Sequence, residues 1–312
     1  MSRVSPWWRL VAGVLVLAVL VWRFGTGPFA DAWRLTTWRS VLAALVLTAL
    51  ATLANAWRWR VVARALGAPL TLVGSVTAYY RSQFLNSALP GGVLGDADRG
   101  VRHGRAAGDL GLGLRGIVWD RVTGQAVQVV LLAVVVLVLP TPLQAYAPSS
   151  TAGVAGCALL VWGLARRRHG TSYPGRDLRA LLRPGVAGRV VLASCLSSTA
   201  HVCVFAVATA TVGVHLGPAA LVTVALGVLV GSSLPLNVAG WGPREGVTAG
   251  LFALVGLGSA TGLTVGIVFG VLASVATVPG VAVLVAEAVV RRRRSVPVPV
   301  PAGEPLEQVP HG

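Results

Sequence analysis

Residues 117–139 read I-V-W-D-R-V-T-G-Q-A-V-Q-V-V-L-L-A-V-V-V-L-V-L. A helix needs about 20 consecutive, mostly apolar residues to cross a hydrocarbon core of about 30 Å. Ile117–Leu139 has that length, and its charged residues, Asp120 and Arg121, sit near its start. Working outward, comparable runs occur at Trp7–Phe24, Trp38–Trp57, Thr151–Ala165, Val190–Val212 and Gly262–Ala286. Thr151–Ala165 is short and must borrow flanking residues to span. Trp7, Trp8, Trp22, Trp38 and Trp57 fall at run ends, where amphipathic rings anchor at the membrane interface.

The composition agrees with this pattern. Of 312 residues, 55% are hydrophobic and only 12% charged. Soluble domains carry about 25% charged residues, so this surface is not built for water alone. The net charge is +16, and all 26 basic residues are Arg. The arginines lie between apolar runs, which fits the positive-inside pattern of cytoplasmic loops and argues against nucleic acid as a partner. The N-terminus places Arg3 and Arg9 before Leu10–Trp22, as a signal peptide would, but Arg23 and Phe24 follow in place of a small-residue cleavage site. An uncleaved first helix is expected. Cys157, Cys195 and Cys203 lie in apolar runs without metal-ligand spacing and read as small hydrophobes. No metal and no cofactor is expected.

Arginine placement sets a topology. Arg58, Arg60 and Arg64 follow the second run, and Arg99, Arg102, Arg105 and Arg115 precede Ile117. Seven more arginines fill residues 166–189, and Arg291–Arg294 close the last run as a basic stop. Pro140–Ser150 and Gly213–Pro218 carry no charge. The consistent solution puts both termini in the cytoplasm of a plasma-membrane protein, although Arg23, Arg34 and Arg39 then lie outside. Residues 1–290 form the transmembrane domain, and 291–312 a basic stop followed by a disordered, Pro-rich cytoplasmic tail.

This solution leaves Thr71–Asp98 and Ala219–Ser259 each starting and finishing on one side. Each is a two-helix hairpin or a re-entrant loop, broken by Pro and Gly at its middle. The two resemble each other. S-A-L-P-G-G-V-L-G-D-A-D-R (87–99) and S-S-L-P-L-N-V-A-G-W-G-P-R (232–244) agree at six positions with a constant offset of 145 residues. Pro90 matches Pro235, Gly95 matches Gly240, and Arg99 matches Arg244. On opposite sides of a membrane, such segments make an inverted repeat whose interrupted helices meet near the midplane at a substrate site. The fold expected is an all-α polytopic membrane protein with about six full spans plus two broken or re-entrant helical hairpins.

Charged residues gather at these breaks. Asp96, Asp98 and Arg99 follow the first, with Arg81 upstream, and Arg244 and Glu245 follow the second. A charge at a helix centre costs about 2.5–3.5 kcal/mol even on lenient scales, so ion pairs or a wet cavity are expected around them. Arg99 reads as a substrate contact or as an ordinary positive-inside residue. Asp120–Arg121 reads as a capping pair at the interface, with a role in the site as the alternative. Arg244–Glu245, flanked by apolar sequence on both sides, reads as functional. Asn86 and Asn237 line a polar cavity or satisfy backbone at the breaks, and His201 reads as a helix–helix hydrogen-bonding residue.

The motif carried by Asn86, Pro90, Gly91, Gly92, Gly95, Asp96 and Arg99, the Asp120–Arg121 pair, and the motif carried by Gly240, Gly242, Arg244, Glu245 and Gly246 occur in that order. Together they resemble the transmembrane, flippase-like domain of lysylphosphatidylglycerol synthases up to about Glu287. The resemblance implies a membrane domain that moves a lipid between leaflets. In those synthases a separate cytosolic domain transfers lysine; with the last run closing shortly before Gly312, that transfer is not expected of this chain. The additional acid at Asp98 departs from the family pattern and leaves either Asp96 or Asp98 to pair with Arg99.

The leading expectation is a translocator of a phospholipid or a lipid-linked precursor. Its partners would be membrane lipids with an anionic or lipid-linked head group. A lipid-modifying transferase, aminoacyl or glycosyl, is the alternative, with Asp96, Asp98 and Glu245 as bases; no P-loop or nucleophile elbow supports it. A third is an accessory subunit of a lipid-synthesising enzyme, docked through the Arg-rich residues 166–189 and the C-terminal tail.

Overall fold

The computed structural model describes residues 27–89, 92–140, 144–145, 156, 173–233 and 242–295. Among these the regular structure is all helical, with no strand. The helices are α1 (Gly27–Leu35), α2 (Trp38–Ala65), α3 (Leu72–Ala88), α4 (Leu94–Ala106), α5 (Leu110–Val138) and α6 (Tyr173–Leu181). They continue with α7 (Pro184–Val212), α8 (Pro218–Ser232), α9 (Pro243–Leu254), α10 (Ser259–Val275) and α11 (Pro279–Ser295).

Among the described residues, four stretches are long and apolar enough to cross a membrane: Trp38–Ala65, Leu110–Val138, Pro184–Val212 and Ser259–Val290. They contain the expected runs at Trp38, Ile117, Val190 and Gly262, and the protein has a polytopic membrane fold. The runs Trp7–Phe24 and Thr151–Ala165 (Gly156 apart), Cys157 and the Pro-rich tail lie outside the described residues.

The helices exceed the apolar runs because their ends are set by capping. Thr37 and Ser40 form a reciprocal capping box at the start of α2. Asp109 accepts the Leu112 amide at 3.0 Å and starts α5 well before Ile117. Pro184, Pro218 and Pro243 occupy first-turn positions, where proline's missing N–H costs nothing. α7 stops at Gly213, whose φ of 80° is left-handed.

Each expected broken segment is a pair of helices. α3 and α4 flank the first break, and α4 runs on through Arg99 to Ala106. α8 and α9 flank the second. At 1.5 Å per residue the 15-residue α8 is about 22 Å long, short of the roughly 30 Å core. The last span is interrupted too: Ala276–Val278 form a turn between α10 and α11, where the sequence predicts continuous helix.

Large apolar side chains point outward at helical spacing, as lipid contact demands: Leu42, Val46, Leu50 and Leu53 on α2, and Val130, Val134 and Leu137 on α5. Inside, Phe205 of α7, Val228 of α8, Phe252 of α9 and Leu272 of α10 form one core cluster. Lipid tails are as apolar as Leu, so close backbone approach must supply much of the packing. Gly113 of α5 supplies it: a Cβ there would fall onto the backbone of Gly100 and Gly104 of α4. Gly113→Ala is expected to lower the thermal unfolding midpoint in detergent, with a cost of about 1–3 kcal/mol from forced separation. Gly250→Ala, with nothing within 4 Å of the added methyl, is the matched control and should leave that midpoint unchanged or raise it.

Candidate functional site

Asp120 lies inside α5 with no solvent exposure. It is not the helix-start pair member that its sequence position suggests, because Asp109 caps the helix. Its Oδ1 accepts from Arg58 Nε of α2 at 2.9 Å. Its Oδ2 accepts from the Tyr79 hydroxyl of α3 at 2.8 Å and from Arg99 Nη2 of α4 at 3.2 Å. One carboxylate thus ties three helices to a fourth.

Asp96 of α4 forms the adjoining node. Its Oδ1 accepts from Ser82 Oγ at 2.9 Å and from Arg99 Nη2 at 2.9 Å. Its Oδ2 accepts from Arg121 Nε at 2.8 Å, from Arg121 Nη2, and from Asn86 Nδ2 at 3.3 Å. Asp96 is therefore the partner of Arg99. The Arg99 guanidinium is fully buried between rings, its Cζ 3.9 Å from the Tyr79 centroid and 4.5 Å from that of Trp59. Arg58 Nη1 donates to Ser194 Oγ of α7 at 3.3 Å. Gly124, one turn past Asp120, makes room for the Arg58 guanidinium, which a Cβ there would meet at 2.6 Å.

Asp98 belongs to a different network. It accepts from Arg81 Nε at 3.0 Å and Arg102 Nε at 2.8 Å. Glu287 of α11 accepts from the same two arginines, at 2.5 Å and 2.9 Å, closing a four-residue ring.

The second motif forms its own pair. Glu245, fully buried, accepts from Arg244 Nε at 2.9 Å and Nη2 at 2.6 Å. Its other oxygen accepts the Gly242 amide at 2.6 Å. Gly242 has a φ of 124°, a conformation that only glycine adopts cheaply, which explains its place in the motif. Arg244 rests in space left by Gly270 of α10, where a Cβ would collide with its guanidinium.

These elements surround a cavity of about 350 Å³. Asn86, Gly92 and Asp96 face it from the first motif, Arg121 from α5 and Arg244 from the second motif. The structure thus brings three motifs from distant sequence to one polar space. The Arg121 side chain is 54% exposed there. Arg99, Asp120, Asp98 and Glu245 do not line it; the first two and Glu245 stand behind it as supports. Gly95 also has a packing role, since a Cβ there would collide with the Ser82 carbonyl of α3. Pro90, Gly91, Pro235, Asn237 and Gly240 lie outside the described residues.

Several cavity residues escape a motif-based reading. Arg58 looks like a loop arginine after an apolar run, yet α2 continues past it to Ala65 and buries it. Asn55, one turn before Arg58, and Thr48 are on the cavity face of α2. Gln83 faces the cavity from α3, Ser274 from the end of α10 and Thr277 from the α10–α11 turn. The spacing of Thr48, Asn55 and Arg58 on one face was the available signal. His201 lines the cavity as well, but its Nδ1 donates to the Ser197 carbonyl of its own helix at 2.8 Å, so that bond does not link helices.

The fold and this buried, charged cavity define a polytopic membrane protein with a polar site between its helices. The family model described as the lysylphosphatidylglycerol synthase TM region matches residues 7–280, and the chain belongs to that family. Membership relates it to lipid modification or translocation. Neither a curated protein nor a solved structure matches the chain.

The Asp120 node yields a graded prediction. Asp120→Ala leaves Arg58 and Arg99 short of a counter-charge in a dry interior, and breaking such a pair costs about 3–5 kcal/mol. Tyr79→Phe removes one hydrogen bond to a charged group, worth about 1.5–3 kcal/mol. Thermal unfolding in detergent is expected to rank wild type, Tyr79→Phe and Asp120→Ala in falling order.

Proposed function

We propose that this protein translocates the phosphate-bearing head group of a phospholipid or lipid-linked precursor between leaflets, passing it through the central cavity. The observation that carries this reading is the meeting of Arg121 and Arg244 at one polar space. Around it Arg58, Arg99 and Arg121 share two carboxylates, Asp96 and Asp120, which leaves one formal positive charge. The Arg244–Glu245 pair adds none. An anionic head group supplies the missing charge, and guanidinium is well suited to phosphate oxygens.

The cavity volume falls in the range of about 300–1,000 Å³ typical of small-ligand sites, so it suits a head group while the acyl chains stay in the bilayer. Asp96 competes with the lipid phosphate for Arg121, which keeps binding weak enough for release. Asn86 and Gln83 offer neutral hydrogen bonds to the rest of the head group. In this reading the protein resides in the plasma membrane with both termini in the cytoplasm.

Liposomes containing the purified protein and a head-group-labelled anionic phospholipid test the proposal. Wild type should move label between leaflets faster than empty vesicles. Arg121→Ala and Arg244→Ala should each reduce the rate at least tenfold while remaining folded. Wild-type movement no faster than that of empty vesicles overturns it.

A further inference from the structure

The tetrapeptide Trp57–Arg60 divides α2 into two faces. Arg58 and Trp59 point inward to the central network, while Trp57 and Arg60 line the outer surface of the helix. On that outer side a groove of about 730 Å³ runs between α2 and α7, lined by Leu47, Leu50 and Leu53 on one wall and Leu196, Thr199 and Cys203 on the other. Trp57 and Arg60 close one end of the groove and also line a second depression of about 190 Å³. That depression adds Arg64 from the end of α2 and Arg189 from the start of α7.

Neither depression is lined by a carboxylate, and among the described residues no acid pairs with Arg60, Arg64 or Arg189. Arg60 Nε is held at 2.9 Å by the Leu70 carbonyl, which fixes the guanidinium at the junction. Arg64 and Arg189 are exposed.

We infer that this outer face is a second lipid site, holding one anionic phospholipid of the bilayer with an acyl chain in the groove and its phosphate among Arg60, Arg64 and Arg189. The order of chemistry along α2 matches that of the lipid: leucines, then an interfacial tryptophan, then arginines. The dimensions match too. From Leu47 to Trp57 a helix rises about 15 Å, which equals half of a hydrocarbon core of about 30 Å. The groove is therefore one leaflet deep, with its basic end at the head-group level. Among the described residues the groove and the central cavity share no lining residue. The lipid bound here is a resident that splints α2 to α7, separate from any cargo of the central site.

Native mass spectrometry of the full chain in detergent, with phosphatidylglycerol or phosphatidylcholine added, tests this. Wild type should retain phosphatidylglycerol in preference to phosphatidylcholine by on the order of a hundredfold, from roughly fivefold per arginine near an anionic group. The triple substitution Arg60→Gln, Arg64→Gln and Arg189→Gln should remove the preference. Thr199→Trp, at an exposed position on the groove wall, should reduce retention of both lipids. Excess glycerol 3-phosphate should not displace the lipid, because it lacks the chain. Equal retention by wild type and the triple variant overturns the inference. So does retention that falls with Arg121→Ala and not with the triple variant, which would place the lipid in the central cavity. Either result is independent of whether the protein transports, because no flux is measured.

Discussion

The Asp120 carboxylate is the constraint from which the rest of the interior follows. It has no exposure, it sits on a helix that faces lipid elsewhere, and its two oxygens accept from two guanidiniums at once. A bare carboxylate in that position would be prohibitive in hydrocarbon. Arg58, Tyr79 and Arg99 make it tolerable, and each must come from a different helix to reach it. The four helices α2, α3, α4 and α5 are thereby fixed in register by one residue. Apolar packing alone does not fix register this way, because lipid tails compete equally well for apolar surface.

The same constraint explains the glycines. A guanidinium inside a helix bundle needs volume, and Gly124 and Gly270 supply it opposite Arg58 and Arg244. α4 can carry Asp96 and Arg99 into the interior only if it lies close against its neighbours. Gly95 permits that against α3, and Gly100 and Gly104 permit it against α5. Small residues and buried charges are two parts of one arrangement: the first creates the spaces that the second fill.

What was legible in the sequence was what a bilayer imposes on any chain. The run Ile117–Leu139 is long because the core is thick, and the breaks at 87–99 and 232–244 stand out because interruptions are rare there. What was not legible depends on distant partners. Arg58 looks like a loop residue until Asp120, 62 positions later, is placed beside it. Asp96 and Asp98 are indistinguishable in sequence, and only helical geometry turns one toward Arg99 and the other toward Arg81 and Arg102. The α10–α11 turn was hidden for a different reason: Pro279 and Gly280 sit in an otherwise apolar run whose composition does not change across them.

The repeat itself gains meaning from a difference between its copies. Arg99 and Arg244 share a register, and each is bonded to a nearby carboxylate and set against an aromatic ring. Yet Arg99 is sealed behind the cavity while Arg244 lines it. The first motif instead presents its charge to the cavity through Asp96, and Asp96 holds Arg121 at the opening. An arginine reaches the cavity from both halves, one directly and one through a carboxylate relay. The two arginines are held differently: Arg121 is shared with Asp96, and Arg244 with Glu245, which is itself anchored to the Gly242 amide. Under the proposed translocation, a head group would meet these two arginines under differing competition from carboxylates, which favours stepwise passage over tight capture at either one.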